Sequence, residues 1–211
     1  MAEILQIDPK HPEADRIARA AGLIRRGEVI AIPTDTLYGL AANPFDDAAV
    51  ERVFAIKGRP RNNPLPLLVD SLEMASELAA HLPEPFHKLA RHFWPGPLTI
   101  VVSASAKLPA EVTAGTGTIG LRLPQASIAV ALIRAAGCPI TATSANLSGE
   151  QDSSSAEQVE RSLGDRLSLI VNGGRSSNQK PSTVVDMSSA TWQIVREGAI
   201  SRREIEDCLR S

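Results

Sequence analysis

Residues 56–65, with the sequence IKGRPRNNPL, limit the fold of this chain more than any other stretch. Apolar residues at helical spacing lead up to Lys57, and Gly58 suits the left-handed conformation that closes a helix. Pro60 and Pro64 then prevent the helix from continuing, so a rigid loop must follow it. The cations of this segment are Lys57, Arg59 and Arg61. They indicate an anion site, although basic residues also end helices simply to complement the helix dipole, at about 0.3–1 kcal/mol each.

The length and composition are those of a globular protein with a single domain, which we place at residues 1–211. The chain is 43% hydrophobic and 22% charged, which supplies enough apolar material for one substantial core. Its formal net charge of −2 argues against a surface devoted to nucleic acid. Any polyanion must therefore bind in a local basic concavity.

Cysteine usage and hydropathy indicate a reduced, cytoplasmic protein. Cys138 and Cys208 lie far apart without metal or redox spacing, and no charged-then-apolar leader stands at the N-terminus. No apolar run approaches the roughly 20 residues of a membrane helix. We therefore expect a cytoplasmic location and no membrane partner.

Hydrophobic periodicity and capping residues predict a mixed α/β protein. The predicted helices are residues 12–26, 46–57, 70–80, 85–93, 127–136, a helix that ends at Leu163, and 201–209. Asp70, with Glu73 three residues on, is the expected N-terminal cap of the helix at 70–80. The predicted strands are residues 28–32, 67–69, 98–102, 119–123, 139–143, 169–171, 183–186 and 193–196. Several strand pairs have no helix between them, so a mixed sheet in a three-layer arrangement fits better than a purely parallel one.

Small polar residues follow predicted strands, which is where open α/β sheets present ligand sites. Residues 33–40, PTDTLYGL, follow the strand at 28–32 and suggest the mouth of a site. Ser144 and Asn146 follow another strand, although alone they would be ordinary turn residues. Arg122 and Arg196 fall inside predicted strands, and the planar guanidinium suits phosphate and carboxylate oxygens.

Other patterns do not carry their usual function here. The GTGTIG stretch at residues 115–120 precedes a strand, whereas a dinucleotide fingerprint opens a helix. With no Walker-type loop either, bound ATP would have to be held by cationic side chains and strand-end amides. The four histidines lack zinc-ligand spacing and show no order typical of a catalytic triad, so we expect neither a metal held by the protein nor acyl-enzyme chemistry.

Together the motifs resemble the YrdC-type family of threonylcarbamoyladenylate synthases. Its Lys-x-Arg motif matches residues 57–59 and its Ser-x-Asn motif matches residues 144–146. Residues 33–40, 182–186 and 194–198 look like further family blocks, so the likeness runs from about residue 12 to 206. The resemblance implies a YrdC-like three-layer fold, with a highly twisted mixed sheet around a large, concave, cationic cavity.

The same resemblance implies a nucleotidyltransferase that joins L-threonine, bicarbonate and ATP into threonylcarbamoyl-AMP and releases pyrophosphate. The product would feed threonylcarbamoyladenosine formation at tRNA adenosine 37 through downstream transfer proteins, and RNA or tRNA could also enter the cationic cavity. Magnesium should accompany ATP, held mainly by phosphates and water.

Family roles carry over to matching positions. The threonine-binding residues would be Thr34, Arg122 and Ser182, and the nucleotide-binding residues Lys57, Arg61, Thr118, Ser144 and Arg196. The catalytic set would be Lys57, Arg59, Ser144 and Asn146, with the separate tasks of Arg59 and Asn146 unassigned.

The chain departs from the family pattern in two places. Many members carry a histidine shortly after the Lys-x-Arg loop, where this chain has Leu67 and Leu68, so no role of that histidine transfers. Longer relatives add a C-terminal domain that can close over the site. Here we expect residues 148–156 or 175–180 to serve as lids.

Three rival functions remain open. The first is a non-enzymatic RNA-binding module. The aromatic content of 3% argues against it, because single-stranded RNA is usually bound by stacking its bases on aromatic side chains. The second is a carbamoyl-transfer enzyme of the hydrogenase-maturation type, whose acylphosphatase-like and Cys-rich parts this chain lacks. The third is a diverged YrdC paralogue that binds nucleotide without making the adenylate.

Overall fold

The computed structural model describes residues 2–58, 60–178 and 180–210. These residues form eight helices and eleven strands. The helices are α1 (Ala14–Arg25), α2 (Asp47–Lys57), α3 (Leu72–Leu78), α4 (Glu84–Phe93), α5 (Ala110–Thr113), α6 (Ser127–Ala136), α7 (Ala156–Leu163) and α8 (Arg202–Arg210). The strands are β1 (Glu3–Gln6), β2 (Ile30–Ile32), β3 (Gly39–Ala41), β4 (Leu67–Leu68), β5 (Leu98–Ser103), β6 (Thr118–Arg122), β7 (Ile140–Thr141), β8 (Thr143–Ser144), β9 (Leu169–Asn172), β10 (Thr183–Asp186) and β11 (Gln193–Arg196).

The strands form two mixed sheets. The five-stranded sheet has the order β1-β9-β2-β3-β8, and the six-stranded sheet has the order β11-β10-β5-β6-β4-β7. Parallel pairs such as β1 with β9 lie beside antiparallel pairs such as β5 with β6. The predicted mixed α/β class is therefore confirmed, with the strands hydrogen-bonded as two sheets where the sequence suggested one.

Two apolar clusters hold the sheets and helices together. Helices α1 and α6 pack against each other over the five-stranded sheet, and their buried side chains include Ile24 and Leu132. The larger cluster joins α2 and α4 to the six-stranded sheet through residues such as Phe54, Phe86 and Ile100. Phe86 also contacts Trp94 edge to face, with ring centroids 5.3 Å apart.

The segment that the sequence predicted as one strand, residues 139–143, crosses between the two sheets. Its first part, β7, pairs with β4 of the six-stranded sheet. Its second part, β8, pairs with β3 of the five-stranded sheet, where Ser144 lies opposite Gly39. The backbone N–H of Ala142, between the two parts, donates to the carbonyl of Pro66 at 2.9 Å. This crossing carries Ser144 into the gap between the sheets.

Two short strands were missed by the sequence prediction. Strand β1 was not predicted at all, and β3 begins within the polar segment at residues 33–40 and ends just after it. Both are only three or four residues long, so their hydrogen bonds to β9 and to β2 and β8 stabilise them more than their own sequence does.

Most helix ends lie close to their predicted positions. Asp46 caps α2 by accepting from the N–H of Ala49 at 3.1 Å, and Gly58 ends this helix with φ of 58°. Ser201 caps α8 by accepting from the N–H of Glu204 at 3.4 Å. No helix in the described ranges is long and apolar enough to cross a membrane.

The predicted cap of α3 was wrong. Ser71 is the cap, and its hydroxyl accepts from the N–H of Met74 at 3.2 Å. Asp70, which the sequence suggested, instead forms an ion pair with Arg134 at 3.4 Å. Either residue fits the capping pattern. Because the side chain of Asp70 pairs with Arg134 on α6, Ser71 caps the helix.

We predict that Ser71→Ala lowers the free energy of unfolding by about 1 kcal/mol, because the first turn of α3 loses its acceptor. Asp70→Ala is the matched control and should cost about 0.5 kcal/mol or less, since it removes only an ion pair whose Arg134 side chain is 68% exposed. Urea denaturation of the two variants measures both values. A larger loss for Asp70→Ala than for Ser71→Ala would contradict this assignment.

Candidate active site

A cavity of about 320 Å³ lies between the two sheets. Its walls come from β3 and β8 of the five-stranded sheet and from β5, β6, β10 and β11 of the six-stranded sheet. This volume falls at the lower end of the range of about 300–1,000 Å³ for small-molecule sites. The predicted site residues that line it are Thr34, Thr118, Arg122, Ser144, Ser182 and Arg196. Residues spread over more than 160 positions of sequence thus meet at one concavity.

Lys57 is buried directly behind Ser144. Only 3% of the residue is exposed, and its Nζ donates to the backbone oxygens of Ser144 at 2.6 Å and Asn146 at 3.0 Å. The same Nζ lies 3.0 Å from Oδ1 of Asn146 and 3.5 Å from Oγ of Ser144. Lys57 of the Lys-x-Arg motif and the Ser-x-Asn motif therefore form one hydrogen-bonded unit, which the sequence could not show.

Further hydrogen bonds make the Ser-x-Asn turn rigid. The hydroxyl of Ser144 donates to Oδ1 of Asn146 at 2.6 Å, and Nδ2 of Asn146 donates to the carbonyl of Glu150 at 2.6 Å. The backbone N–H of Ser148 donates to the carbonyl of Lys57 at 2.9 Å. The side chain of Asn146 forms its hydrogen bonds within the turn and does not line the cavity, whereas Ser144 does line it.

Arg122 lies at the end of β6 and is held from three sides. Its NH2 group forms an ion pair with Oδ2 of Asp35 at 2.7 Å, and NH1 donates to the hydroxyl of Thr36 at 2.8 Å. Its Nε donates to the carbonyl of Gly96 at 3.0 Å. Burial lowers the pKa of Arg122, and the neighbouring charge of Asp35 opposes this effect. The guanidinium thus presents a fixed orientation to the cavity.

Asp35 connects Arg122 to two other parts of the chain. Its Oδ1 accepts from the N–H of Gln125 at 3.1 Å, just before α6. Its backbone oxygen accepts from the N–H of Asn178 at 3.1 Å and from the hydroxyl of Ser177 at 3.2 Å. The carboxylate is 7% exposed, so it is buried with the charge that it balances.

The hydroxyl of Thr34 closes a tight turn at the cavity wall. It donates to the carbonyl of Leu37 at 2.6 Å and accepts from the N–H groups of Thr36 and Leu37, each at 3.2 Å. This local bonding explains why the hydroxyl of Thr34 can be buried without a partner from another segment. Thr34 therefore shapes the wall as well as lining it.

Ser182 and Arg196 meet on the other wall. Nε and NH2 of Arg196 both reach the backbone oxygen of Ser182, at 3.2 and 3.0 Å, and NH2 also donates to its hydroxyl at 3.1 Å. The hydroxyls of Ser182 and Thr99 lie 2.9 Å apart. Behind them, a Cβ at Gly198 would approach within 2.2 Å of the carbonyl of Pro181, so only glycine fits there.

The pKa of Arg196 lies below its ordinary value, chiefly because of partial burial. The positive charge of Arg122 adds to this lowering, and the charge of Asp152 opposes it. Two guanidinium groups thus influence each other within one cavity. An anion that accepted hydrogen bonds from both would relieve this repulsion.

Comparison with known proteins identifies the group to which this arrangement belongs. A family model described as Sua5, YciO and YrdC, telomere recombination, matches residues 22–198. The chain belongs to this family.

Named relatives and solved structures agree with the family match. A threonylcarbamoyl-AMP synthase of Pyrococcus abyssi is 41% identical over 191 residues, which are 90% of this chain and 56% of that protein. A threonylcarbamoyl-AMP synthase of Thiobacillus denitrificans is 36% identical over 82% of this chain and 90% of its own length. The crystal structure of P. abyssi Sua5 complexed with L-threonine superposes with a TM-score of 0.94 at 39% identity, covering 97% of this chain and 60% of that one. The YrdC-like fold is thereby confirmed.

The lengths of the relatives differ. The chain spans 56% of the length of its relatives from P. abyssi and Bacillus subtilis, and 90% of the length of the Thiobacillus protein.

Not every predicted residue joins the site. Arg61 is largely exposed and forms an ion pair with Glu51 on α2, away from the cavity lining. Arg59 lies outside the described residues. Thr118 does line the cavity at the start of β6, and its hydroxyl lies 2.9 Å from that of Thr116.

Sequence reasoning missed several residues of the cavity. The missed lining residues with polar side chains are Thr36, Tyr38, Thr99, Thr143 and Asp152, and Asp35 lies just behind Arg122. For Asp35 a signal was present, because an arginine buried in a strand needs a carboxylate partner and Asp35 is the one acid in the segment at 33–40. No comparable sequence signal points to Asp152.

Tyr38 is the aromatic residue of the cavity wall. Its hydroxyl donates to the carbonyl of Gly174 at 2.7 Å, and burial raises its pKa to about 12. The ring is fully buried, so it supports the wall and offers no exposed face for stacking a base.

We predict that Asp35→Ala lowers the free energy of unfolding by about 3–5 kcal/mol, because the buried charge of Arg122 loses its partner. The matched control is Glu51→Ala, which removes the carboxylate of the exposed Arg61 pair and should cost about 1 kcal/mol or less. Chemical denaturation followed by circular dichroism measures both. Equal losses in the two variants would show that the buried pair does not stabilise the cavity.

Proposed function

We propose that this chain synthesises threonylcarbamoyl-AMP. The amine of L-threonine adds to carbon dioxide with loss of a proton, or to bicarbonate with loss of water, to give a carbamate. A carbamate oxygen then attacks the α-phosphate of ATP, and the bond to the β-phosphate breaks with release of pyrophosphate. The observation that supports this most directly is that Ser144 of the Ser-x-Asn motif, Arg122 and Arg196 line one cavity between the sheets, with Lys57 hydrogen-bonded behind Ser144.

The electrostatics of the cavity suit this reaction. Carboxylate, carbamate and phosphate must approach one another, and two unit charges about 4 Å apart repel by about 4 kcal/mol at an effective dielectric near 20. Fixed cations and hydrogen-bond donors offset such repulsion without reorganising during the reaction. Arg122 and Arg196 are fixed in this way by Asp35 and Ser182.

Threonine would bind against Arg122, Thr34 and Ser182. A guanidinium has five N–H donors, and the described contacts of Arg122 use one each on Nε, NH1 and NH2. The remaining two suit a carboxylate. The hydroxyl of Ser182 can accept from or donate to the amino acid, since its neighbour Thr99 is also a hydroxyl.

The nucleotide would bind along Ser144, Thr118 and Arg196. Arg196 suits a phosphate because its side chain already lies in place on Ser182. Lys57 supports this wall by fixing Ser144, and it reaches a phosphate directly only if its ammonium exchanges some of its present acceptors. Arg61 would likewise have to leave Glu51.

Magnesium would accompany ATP and neutralise part of the phosphate charge. Among the described residues, no group of three His, Cys, Asp or Glu side chains could hold a metal. Asp152 is the carboxylate among the cavity-lining residues, so it is the side chain available to an ion held mainly by phosphates and water.

The proposal places the protein in the cytoplasm, upstream of proteins that transfer the threonylcarbamoyl group to tRNA. A non-enzymatic RNA-binding role is the second candidate, favoured only by the two cavity arginines. The cavity wall offers no exposed aromatic ring among its described residues, and single-stranded RNA is commonly bound on such rings.

Pyrophosphate release tests the proposed function. Purified protein is incubated with ATP, magnesium and bicarbonate, with and without L-threonine. We expect release that requires both threonine and bicarbonate. Nucleotide binding without release would favour a diverged binding paralogue. Salt-sensitive RNA binding without release would favour the RNA-binding module.

We predict that Lys57→Ala lowers turnover in this assay about 10²–10³-fold, because the wall that carries Ser144 loses its internal cation. Lys107→Ala, on an exposed loop between β5 and α5, is the matched control and should retain full turnover. Threonine binding, followed by calorimetry, should persist in Lys57→Ala if the variant remains folded. Near-normal turnover in Lys57→Ala would remove this residue from the catalytic set.

A further inference from the structure

A second concavity, which we call the α6 groove, lies beside the active-site cavity. It has a volume of about 360 Å³ and shares Thr34 with the cavity. It is otherwise lined by different residues, which include Asp35, Ala126, Ser127, Ile128, Arg175 and Ser176. The proposed reaction does not use these side chains, apart from the support that Asp35 gives to Arg122.

The first feature of this groove is the N-terminus of α6. The helix has ten residues, its N-cap residue Ala126 supplies no side-chain hydrogen bond, and its first turn contains no acidic residue. The first N–H groups of a helix have no acceptor within the helix, and they carry a partial positive charge. Ala126, Ser127 and Ile128 line the groove, so this helix end faces it.

The second feature is the hydroxyl of Ser176. The residue is 6% exposed and lines the groove, and its Oγ has no hydrogen-bond partner among the described residues. Nearby hydroxyls differ in this respect, since Ser127 donates to the carbonyl of Pro9 and Ser177 to that of Asp35. Buried hydroxyls normally have a partner, so an acceptor supplied by a ligand would complete this site.

The third feature is the balance of charge. Arg175 lines the groove with an exposed side chain. Asp35 is the carboxylate among the described lining residues, and its charge is offset by Arg122 at 2.7 Å. Arg175 also acts on Glu157, whose pKa lies below its ordinary value mainly through the hydroxyl of Ser155. Together, Arg175 and the helix end favour an anion.

We propose that the α6 groove binds a phosphate-type oxyanion. The first-turn amides of α6 and the hydroxyl of Ser176 donate to its oxygens, and Arg175 supplies the charge. Free phosphate and pyrophosphate share this chemistry. The site is independent of the proposed reaction, because its three donors lie outside the cavity lining.

Titration of the ¹⁵N-labelled full chain with inorganic phosphate, at constant ionic strength, tests the proposal. Amide chemical shifts localise the ion even if the active-site cavity also binds phosphate. We expect saturable shifts at Ser127, Ile128 and Ser176. Pyrophosphate serves as the second probe, and the tighter of the two identifies the preferred ion. The absence of saturable shifts at these amides, or shifts confined to cavity residues such as Ser144, would overturn the proposal.

Variants separate a built site from general attraction to positive charge. Ser176→Ala should weaken phosphate binding about tenfold, since a hydrogen bond to a charged group is lost. Arg175→Ala should weaken it about threefold, as expected for an exposed charge. Arg161→Ala is the matched control, because Arg161 also acts on Glu157 but does not line the groove. Equal weakening by Arg161→Ala and Arg175→Ala, or unchanged binding in Ser176→Ala, would overturn the assignment.

Discussion

The burial of the Lys57 ammonium is the constraint on which the active-site wall depends. A charge taken out of water must find acceptors, and the turn at residues 144–146 supplies both backbone and side-chain oxygens to Nζ. This contact joins the end of α2 to the end of β8, two elements separated by more than 80 residues. Because Gly58 ends α2 directly after Lys57, the ammonium lies at the C-terminal end of the helix, next to this turn.

A second buried charge organises the opposite wall. Arg122 can remain inside the protein because Asp35 balances its charge, while Thr36 and Gly96 satisfy further donors. Asp35 in turn holds the approach to α6 and the loop at residues 177–178. The active-site cavity and the α6 groove are therefore neighbours around one ion pair. Each concavity is bounded by backbone that this pair keeps in place.

Local sequence predicted the regular elements with clear boundaries. The predicted bounds of α6, β10 and β11 agree with the structure, because strong periodicity and well-defined turns surround each of them. The assignment failed where a long-range partner decided the outcome. Asp70 and Ser71 both suit a cap, and the contact of Asp70 with Arg134 left the cap to Ser71. The break between β7 and β8 was likewise hidden, since its cause is pairing with two different sheets.

The sequence by itself determined the mixed α/β class, the end of α2 at Lys57 and the set of residue types for an anion site. These could be predicted because helix ends, periodicity and the two motifs are local properties of the chain. Only the tertiary structure decided that Thr34, Ser144, Ser182 and both arginines face one cavity, that Arg61 does not, and that Asp35 is the partner of Arg122. The physical reason is that buried charges and short strands take their positions from partners far away in sequence. Those partners are specified by packing and hydrogen bonding of the whole fold.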